Sequence, residues 1–255
     1  MVNLTVVILA KNEEKNMKDC LESVAGWADE IIVVDDESID RTAEIARKYA
    51  HKVITKKMDI QGRFRNWAYS LAKHLWVLSL DADERVTPEL KNEISQLFEN
   101  GSELEKFTGF QIPRRNFIGK YWIRYGGEYP AAQLRLFRKD KFKYAEEKVH
   151  ARAFLDGKAR PLKGDYIHYS WDDFSDFLTK INRQTTWEAE KWISAGRKIS
   201  MVHGFWRVID RFPRRFFRKK GYKDGFVGFM IAFFDSLYQL MAYAKYREMK
   251  GVYPK

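Results

Sequence analysis

Two carboxylates separated by one residue, Asp81 and Asp83, follow the apolar segment Trp76 to Leu80. In an extended chain they would point to the same side, and in a tight turn they would flank it. Either arrangement suits Mg²⁺ or Mn²⁺, which carboxylates hold while phosphate oxygens and water fill the other positions. The spacing therefore predicts a metal site for a diphosphate substrate. The alternative is that both are ordinary turn or helix-capping residues.

A second acidic pair, Asp35 and Asp36, ends the apolar segment Ile31 to Val34. These carboxylates could accept hydrogen bonds from a ribose or a base N–H, as the ribose-binding acid of dinucleotide folds does. The alternative is a pair of turn residues before a helix cap at Ser38. No G-x-G-x-x-G sequence follows the first apolar segment, which argues against a dinucleotide cofactor.

The elements that must position these residues are predicted as buried strands alternating with helices. Short, nearly continuous apolar runs predict strands, and apolar residues at helical spacing predict helices between them. The alternation indicates an α/β fold with a mainly parallel sheet, and from Gly109 onward antiparallel pieces make it a mixed sheet. Beyond about residue 175 the sequence predicts only helix. The predicted strands are Leu4 to Ala10, Ile31 to Val34, Val53-Ile54, Trp76 to Leu80, Phe110 to Ile112 and Gln133 to Arg138.

Three of the predicted parallel strands end in polar residues. These ends are Lys11-Asn12-Glu13, Asp35-Asp36 and Asp81-Ala82-Asp83. In open α/β sheets ligands bind outside the carboxyl ends of the strands. The three polar ends therefore predict one ligand site at one edge of the sheet.

The composition limits the partners and the compartment. The 255 residues carry a net charge of +11, which indicates a polyanionic partner such as nucleic acid, anionic lipid or a phosphorylated substrate. With only Cys20 present, an intramolecular disulfide and a cysteine zinc site are excluded. The N-terminus lacks the pattern of a secretory signal, and no uninterrupted apolar run reaches the roughly 20 residues of a membrane span. We expect a cytoplasmic protein that can still contact membranes.

Four successive motifs resemble those of the family 2 inverting glycosyltransferases, most closely the branch with the lipopolysaccharide-core β-1,4-glucosyltransferases. The resemblance covers roughly residues 1–190. It implies a GT-A type nucleotide-diphospho-sugar transferase domain over residues 1–190 and a helical extension over 191–255. The motifs are LTVVILAKNEE from Leu4, IIVVDDESIDRT from Ile31, Arg65-Asn66 and LSLDADERV from Leu78.

The resemblance also implies roles for individual residues. The nucleotide would contact Ala10, Lys11, Glu13, Asp35, Asp36, Arg65 and Asp81. The metal, Mg²⁺ or Mn²⁺, would be held by Asp83, Asp81 and His168. Without the family resemblance, a lone histidine in an aromatic strand, such as His168, is more often a satisfied core residue.

An inverting transfer needs a carboxylate to take the proton of the acceptor hydroxyl. Relatives often show Tyr-Pro-Asp and Val-His-Glu, where this chain has Tyr129-Pro130-Ala131 and Val149-His150-Ala151. Glu128 and Glu147 are the candidate bases, with Glu146 as a further nearby carboxylate. Each could equally be a solvated loop charge.

Strand residues Arg135 and Arg138 alternate with apolar residues, so one face of that strand is predicted to be core. The other face could meet an anionic acceptor or simply be solvated.

The excess positive charge lies in the C-terminal extension. Between Arg197 and Lys223 there are ten Lys or Arg residues and one acid, with aromatic residues at helical spacing around them. Such a segment can lie in a bilayer interface, and Pro213 must interrupt or restart its helix. We expect a peripheral protein on the inner face of the cytoplasmic membrane, with packing on a second copy or on the catalytic domain as alternatives.

The predicted function is transfer of a hexose, by resemblance glucose, from a UDP-sugar to a membrane-associated glycolipid such as the lipopolysaccharide core. One alternative is a nucleotide-binding homologue without transfer activity. A basic nucleic-acid-binding protein is the other, but the acidic strand ends would repel phosphate unless a metal intervened, so no nucleic-acid partner is predicted.

Overall fold

A computed structural model of the protein describes residues 3–146 and 152–251. The chain forms two compact units. The first comprises residues 1–114 and 131–168, and the second comprises residues 115–130 and 169–255. The predicted boundary at residue 190 instead falls within the helix Phe174–Ser194.

The first unit is built on a seven-stranded sheet, and this sheet is mixed and mainly parallel, as predicted. Its strand order is β12-β6-β9-β4-β1-β2-β3. Four of the six neighbouring pairs are parallel, and β9 runs antiparallel to both β4 and β6. The strands are β1 (Leu4–Ala10), β2 (Glu30–Asp35), β3 (Lys52–Thr55), β4 (Trp76–Asp81), β6 (Gly109–Ile112), β9 (Gln133–Arg138) and β12 (Ala159–Pro161).

Helices of the first unit contribute apolar residues to two core clusters. Alternate residues of β1 enter different clusters, because successive side chains of a strand point to opposite faces. Ile8 packs in the cluster that includes Met17 and Leu90, whereas Val7 packs in the cluster that includes Phe64. The helices are α1 (Glu14–Glu22), α2 (Thr42–Ala46), α3 (Gln61–Ser70), α4 (Pro88–Asn100) and α5 (Ser102–Lys106).

Three short pieces complete the first unit. Strand β5 (Glu84–Val86) follows β4 after a tight turn and pairs antiparallel with the first residues of β13 (Tyr166–Trp171). Strands β10 (Phe142–Tyr144) and β11 (Ala153–Leu155) form an antiparallel pair.

The second unit is mainly helical. Strands β7 (Arg114–Ile118) and β8 (Tyr121–Trp122) pair antiparallel. Three long helices follow, α6 (Phe174–Ser194), α7 (Met201–Pro213) and α8 (Gly225–Met249). Helix α7 ends at Pro213, as predicted, and a π-helical turn over Arg214–Arg218 and a 3₁₀ turn over Gly221–Asp224 lead into α8.

Buried apolar residues of α6 and α8 form the core of this helical unit. Phe177 and Ile181 of α6 cluster with Ile231 of α8, and farther along Trp192 clusters with Tyr246. Buried polar groups tie the loops to it, since Asp224 accepts hydrogen bonds from the backbone N–H of Tyr125 and Arg124 and from the Tyr121 hydroxyl.

One helical stretch, Gly221–Met249, is long and apolar enough to cross a membrane by length and composition alone. The sequence analysis did not identify this stretch because it counted uninterrupted apolar residues. Within this stretch Asp235 divides two apolar blocks. In the structure Asp235 is ion-paired with Arg215, at 3.2 Å.

Candidate functional site

The parallel register brings the three polar strand ends of the first unit together. Ala10 at the end of β1 lies opposite Asp35 of β2, and Leu9 lies opposite Asp81 of β4. The backbone N–H of Asp36 donates to the Ala10 carbonyl at 2.8 Å. The predicted common edge is therefore present in the structure.

The loop after β1 is held by the loop after β2. The backbone N–H of Asn12 donates to Ser38 Oγ at 2.8 Å, and that of Glu13 donates to Thr42 Oγ1 at 2.7 Å. Asn12 has a φ of +54°, a left-handed conformation that asparagine tolerates better than most residues. These bonds place Ala10, Lys11 and Glu13 along the edge of the sheet.

The two acids at the end of β2 differ in their surroundings. Asp36 is satisfied, because Lys11 Nζ donates to Oδ2 at 2.9 Å and the Met58 N–H donates to Oδ1 at 2.7 Å. Asp35 Oδ2 accepts the Ser38 N–H at 3.2 Å, whereas its buried Oδ1 has no partner among residues 3–146 and 152–251. Of these two acids, Asp35 is therefore the one whose carboxylate can accept a further hydrogen bond.

Asp81 lies between two arginines. Arg65 donates to Oδ1 at 3.0 Å and Arg135 donates to Oδ2 at 2.7 Å. Burial opposes ionisation here, but Arg135 and Arg65 hold the pKa of Asp81 well below its usual range. Both oxygens are therefore engaged by guanidinium groups.

Glu84 extends this cluster into the core. Its fully buried carboxylate accepts from Arg135 at 3.0 Å and from the Asp81 N–H at 2.9 Å, with Arg114 at 3.7 Å. Burial raises the pKa of Glu84. Three arginines thus converge on two carboxylates, and the cluster carries an excess of positive charge when both acids are ionised.

A cavity of about 230 Å³ opens onto this cluster. Three guanidinium groups and a single carboxylate supply the charge of its wall, so the cavity suits an anion such as a phosphate group. Burial raises the pKa of Tyr144 to about 12, so its hydroxyl stays protonated and able to donate at neutral pH. The lining residues are Gln61, Arg65, Asp81, Arg114, Gln133, Arg135 and Tyr144.

The second acid of the motif, Asp83, faces the predicted histidine. Asp83 Oδ2 lies 3.5 Å from His168 Nε2, and the side chains are 23% and 17% exposed. The pairing of β5 with β13 sets this geometry, because His168 lies opposite Glu84 in the register. One carboxylate oxygen and one imidazole nitrogen at this separation fit Mg²⁺ or Mn²⁺ that takes its other ligands from a diphosphate and water.

Asp81, predicted as a further metal ligand, instead makes the arginine contacts described above. Within the described part of the chain no group of three or more His, Cys, Asp or Glu residues could hold a metal ion. The structure therefore brings two of the three predicted metal ligands together.

The candidate bases are described by their own contacts. Glu128 belongs to the second unit, where it is ion-paired with Arg215 and accepts a hydrogen bond from Asn116 Nδ2 at 2.9 Å. Glu147 lies outside the described residues. Glu146 is ion-paired with Arg63 at 3.2 Å.

The two strand arginines have different surroundings. Arg135 is buried in the cluster, whereas Arg138 pairs with Asp140 at 2.8 Å. Sequence reasoning missed Arg114, Tyr144 and Glu84 as part of the site. Of the three, only Glu84 had a local signal, because it follows the acidic motif directly in the sequence.

Comparison with known proteins gives a family match. The family model described as Glycosyl transferase family 2 matches residues 5–154, more than half of the chain.

Relatives match along nearly the whole chain. An uncharacterized glycosyltransferase of Rickettsia typhi is 28% identical over 265 residues, covering 98% of this chain and 88% of the relative. The lipopolysaccharide core biosynthesis glycosyltransferase LpsC of Rhizobium meliloti is 25% identical over 253 residues, covering 95% of this chain and 91% of the relative.

Among solved structures, that of Staphylococcus aureus TarS 1-349 in complex with UDP is similar at 16% identity with a TM-score of 0.47. The match covers 99% of this chain and 93% of that chain.

Proposed function

The chain belongs to glycosyltransferase family 2, and from this premise we propose that it transfers a hexose from a UDP-sugar to a membrane-associated glycolipid acceptor. The observation that carries the proposal is the arginine-lined cavity at the edge of the sheet where the acids of the nucleotide-binding motifs meet. A nucleoside diphosphate would use both features. Its negatively charged phosphates bind cationic side chains, and the N–H and O–H groups of its base and ribose donate hydrogen bonds to acceptors.

The proposed donor site divides into three parts. Asp35, with its unpartnered oxygen, would accept a hydrogen bond from the base or the ribose. Arg65, Arg114 and Arg135 would neutralise the diphosphate. Ala10, Lys11, Glu13 and Asp36 would line the nucleoside, with Asp81 orienting the arginines.

Asp83 and His168 would hold the divalent ion beside the diphosphate. When bound, the ion stabilises the negative charge that develops on the departing nucleoside diphosphate. The protein contributes the short turn between β4 and β5 that carries Asp83 and the strand pairing that positions His168.

The acceptor proposal is supported by the LpsC match, whose name refers to lipopolysaccharide core biosynthesis and which covers 95% of this chain. We accordingly propose a peripheral location at the inner face of the cytoplasmic membrane. Glucose is the proposed sugar and Glu128 the proposed base.

The test is a melting screen of UDP-, GDP-, dTDP- and CMP-sugars with Mn²⁺. We expect a UDP-sugar to raise the melting temperature in a Mn²⁺-dependent manner, because a ligand that binds only the folded state stabilises it. At a concentration 100 times its Kd the stabilisation is about 2.7 kcal/mol. No shift with any nucleotide sugar would refute the proposal.

The variant Asp83→Asn removes a metal-binding charge from a partly exposed turn. We expect it to keep the melting temperature of the free protein and to lose the Mn²⁺-dependent part of the shift. Asp156→Asn is the matched control, because that carboxylate is exposed and pairs only with Lys141 among the described contacts. Slow Mn²⁺-dependent hydrolysis of the bound donor distinguishes an active transferase from a homologue that only binds nucleotide.

A further inference from the structure

Large apolar side chains on the surface are concentrated in the second unit. Of the twenty exposed large apolar residues found in the described part of the chain, sixteen belong to this unit. Scattered single residues of this kind are normal, but a contiguous group marks an interaction surface. An interaction surface in this unit therefore requires that some of these sixteen residues lie next to one another.

Five of them occupy one face of α7. Met201, Val202, Phe205, Trp206 and Ile209 are separated by one, three or four residues, which places them on one side of a helix. Their exposed fractions run from 48% for Phe205 to 74% for Val202.

Four more lie between the 3₁₀ turn Gly221–Asp224 and the first part of α8, at positions spaced by four, three and four residues. They are Tyr222, Phe226, Phe229 and Phe233. Phe226 is 70% exposed, more than any other aromatic residue described. Helices α7 and α8 therefore both carry exposed aromatic side chains.

Aromatic contacts join the two helical segments into one surface. The ring of Phe216 lies 5.3 Å from that of Phe212 and 5.8 Å from that of Phe229. It also lies 6.3 Å from the ring of Tyr222. The hairpin between α7 and α8 is thus continuous with the apolar faces of both helices.

Exposed cations surround the aromatic residues of this hairpin. Arg218, Lys219, Lys220 and Lys223 are all exposed, between the exposed Phe217, Tyr222 and Phe226. The one acid nearby, Asp224, is buried and accepts hydrogen bonds from backbone N–H groups. We call residues 217–226 the basic aromatic tip.

We propose that the basic aromatic tip and the exposed face of α7 dock on an anionic lipid bilayer, with the aromatic side chains in the interface and the cations against the headgroups. Aromatic rings favour the membrane interface, and Lys and Arg are attracted to its negative surface potential. The inference does not depend on the proposed enzymatic activity.

Charge argues against a second copy of the chain as the occupant. A two-fold symmetric contact centred on the tip would bring together the four exposed cations of each copy, eight in the pair. Like charges at that density repel, whereas an anionic bilayer neutralises them.

The test is co-sedimentation of the full-length protein with phosphatidylcholine vesicles and with vesicles of phosphatidylcholine and phosphatidylglycerol at 7:3. We expect binding to the anionic vesicles, little binding to the neutral ones, and release of most of the protein in 1 M NaCl. Equal binding to both vesicles would overturn the proposal. Binding that only detergent reverses would do so as well, because it would indicate a spanning helix.

A charge variant tests the surface itself. Changing Arg218, Lys219, Lys220 and Lys223 to Gln should weaken binding to the anionic vesicles at least 100-fold, since each cation near such a surface contributes about fivefold. The matched control changes Arg47, Lys52, Lys158 and Lys163 to Gln, which removes the same charge from exposed positions of the first unit. If the two variants bind equally, the tip is not the docking surface.

An aromatic variant separates insertion from simple charge attraction. Phe217→Ser with Phe226→Ser changes two exposed side chains, at 58% and 70%, so the fold should be retained. We expect weaker vesicle binding with the charge unchanged. A dimer in size-exclusion chromatography that this variant converts to monomer would overturn the proposal and assign the surface to a second copy.

Discussion

At the scale of single residues, Asp81 connects two arginines that would otherwise repel each other. Arg135 is 4% exposed in its side chain and Asp81 is 28% exposed, so the pair lies largely out of water. Removing one partner of a buried pair leaves an uncompensated charge. Asp81 therefore stabilises the arginine cluster as well as lining the cavity.

We expect Asp81→Asn to lower the free energy of unfolding by about 3 kcal/mol, because it leaves Arg65 and Arg135 without their shared carboxylate. Urea unfolding at pH 7 measures the change. Asp140→Asn is the control, since Asp140 pairs with Arg138 nearer the surface and such a pair contributes about 0–1 kcal/mol. Equal effects of the two substitutions would contradict this account.

The contribution of Asp81 to folding stability depends on pH in a defined direction. The pKa of Asp81 in the folded state is lowered, so its contribution is present above the unfolded value of about 4 and is lost as the pH falls toward the folded value. The stability difference between the wild type and Asp81→Asn should therefore stay constant near neutral pH and shrink only below about pH 4.

Glu128 allows a separate test of the proposed base. Arg215 and Asn116 fix its carboxylate in place. We expect Glu128→Gln to lower kcat by about 100-fold or more while the donor still raises the melting temperature. Glu146→Gln, which alters an exposed carboxylate paired with Arg63, is the control. Normal kcat in Glu128→Gln would give Glu128 a purely structural role.

At the scale of elements, the strands that the sequence predicted are those with continuous apolar runs. Strands β1, β2 and β4 are buried on both faces, so a simple composition signal identifies them. Short strands such as β5, with three residues, and β8, with two, carry no periodicity and were not predicted. Their positions are set by pairing with distant segments.

Contact between segments that are distant in sequence also explains why sequence reasoning missed site residues. Arg114 and Tyr144 are 30 residues apart in sequence and join Asp81 only through the folded sheet and the β10 strand. The acidic motifs were predictable because parallel strands share an edge. The arginines that neutralise them come from α3, β7 and β9, and no local pattern links those elements.

Helix α6 depends on α8 for its buried face. Phe177, Ile181 and Trp192 pack against residues of α8, and Lys245 Nζ donates to Thr185 Oγ1 at 2.9 Å. A chain that ends at residue 190 would expose the apolar face of α6 to water. Burying each such side chain contributes about 1.5–3 kcal/mol.

We therefore expect the chain 1–190 to lose protection in residues 174–190. Hydrogen exchange followed by mass spectrometry, with the full-length protein as reference, measures this. Retained protection in the shorter chain would show that α6 folds without α8.

At the scale of the whole molecule, the described contacts give two units where the resemblance implied one domain and an extension. The division is non-local, because residues 115–130 join the helical unit although they lie between segments of the first. A boundary drawn from the linear extent of a resemblance cannot detect such an exchange. The proposed docking surface, by contrast, overlaps a run of cations and aromatic residues that the sequence shows between Arg197 and Lys223.

The discontinuity of the first unit has a consequence during protein synthesis. His168, the partner of Asp83, is the last residue of that unit, so the pair cannot form on a ribosome until the chain beyond it has emerged. At about 5–20 residues per second, translation reaches this point roughly 8–34 s after it starts. A nascent chain paused earlier would hold Asp83 without its histidine, so the proposed metal centre cannot form before this point of synthesis.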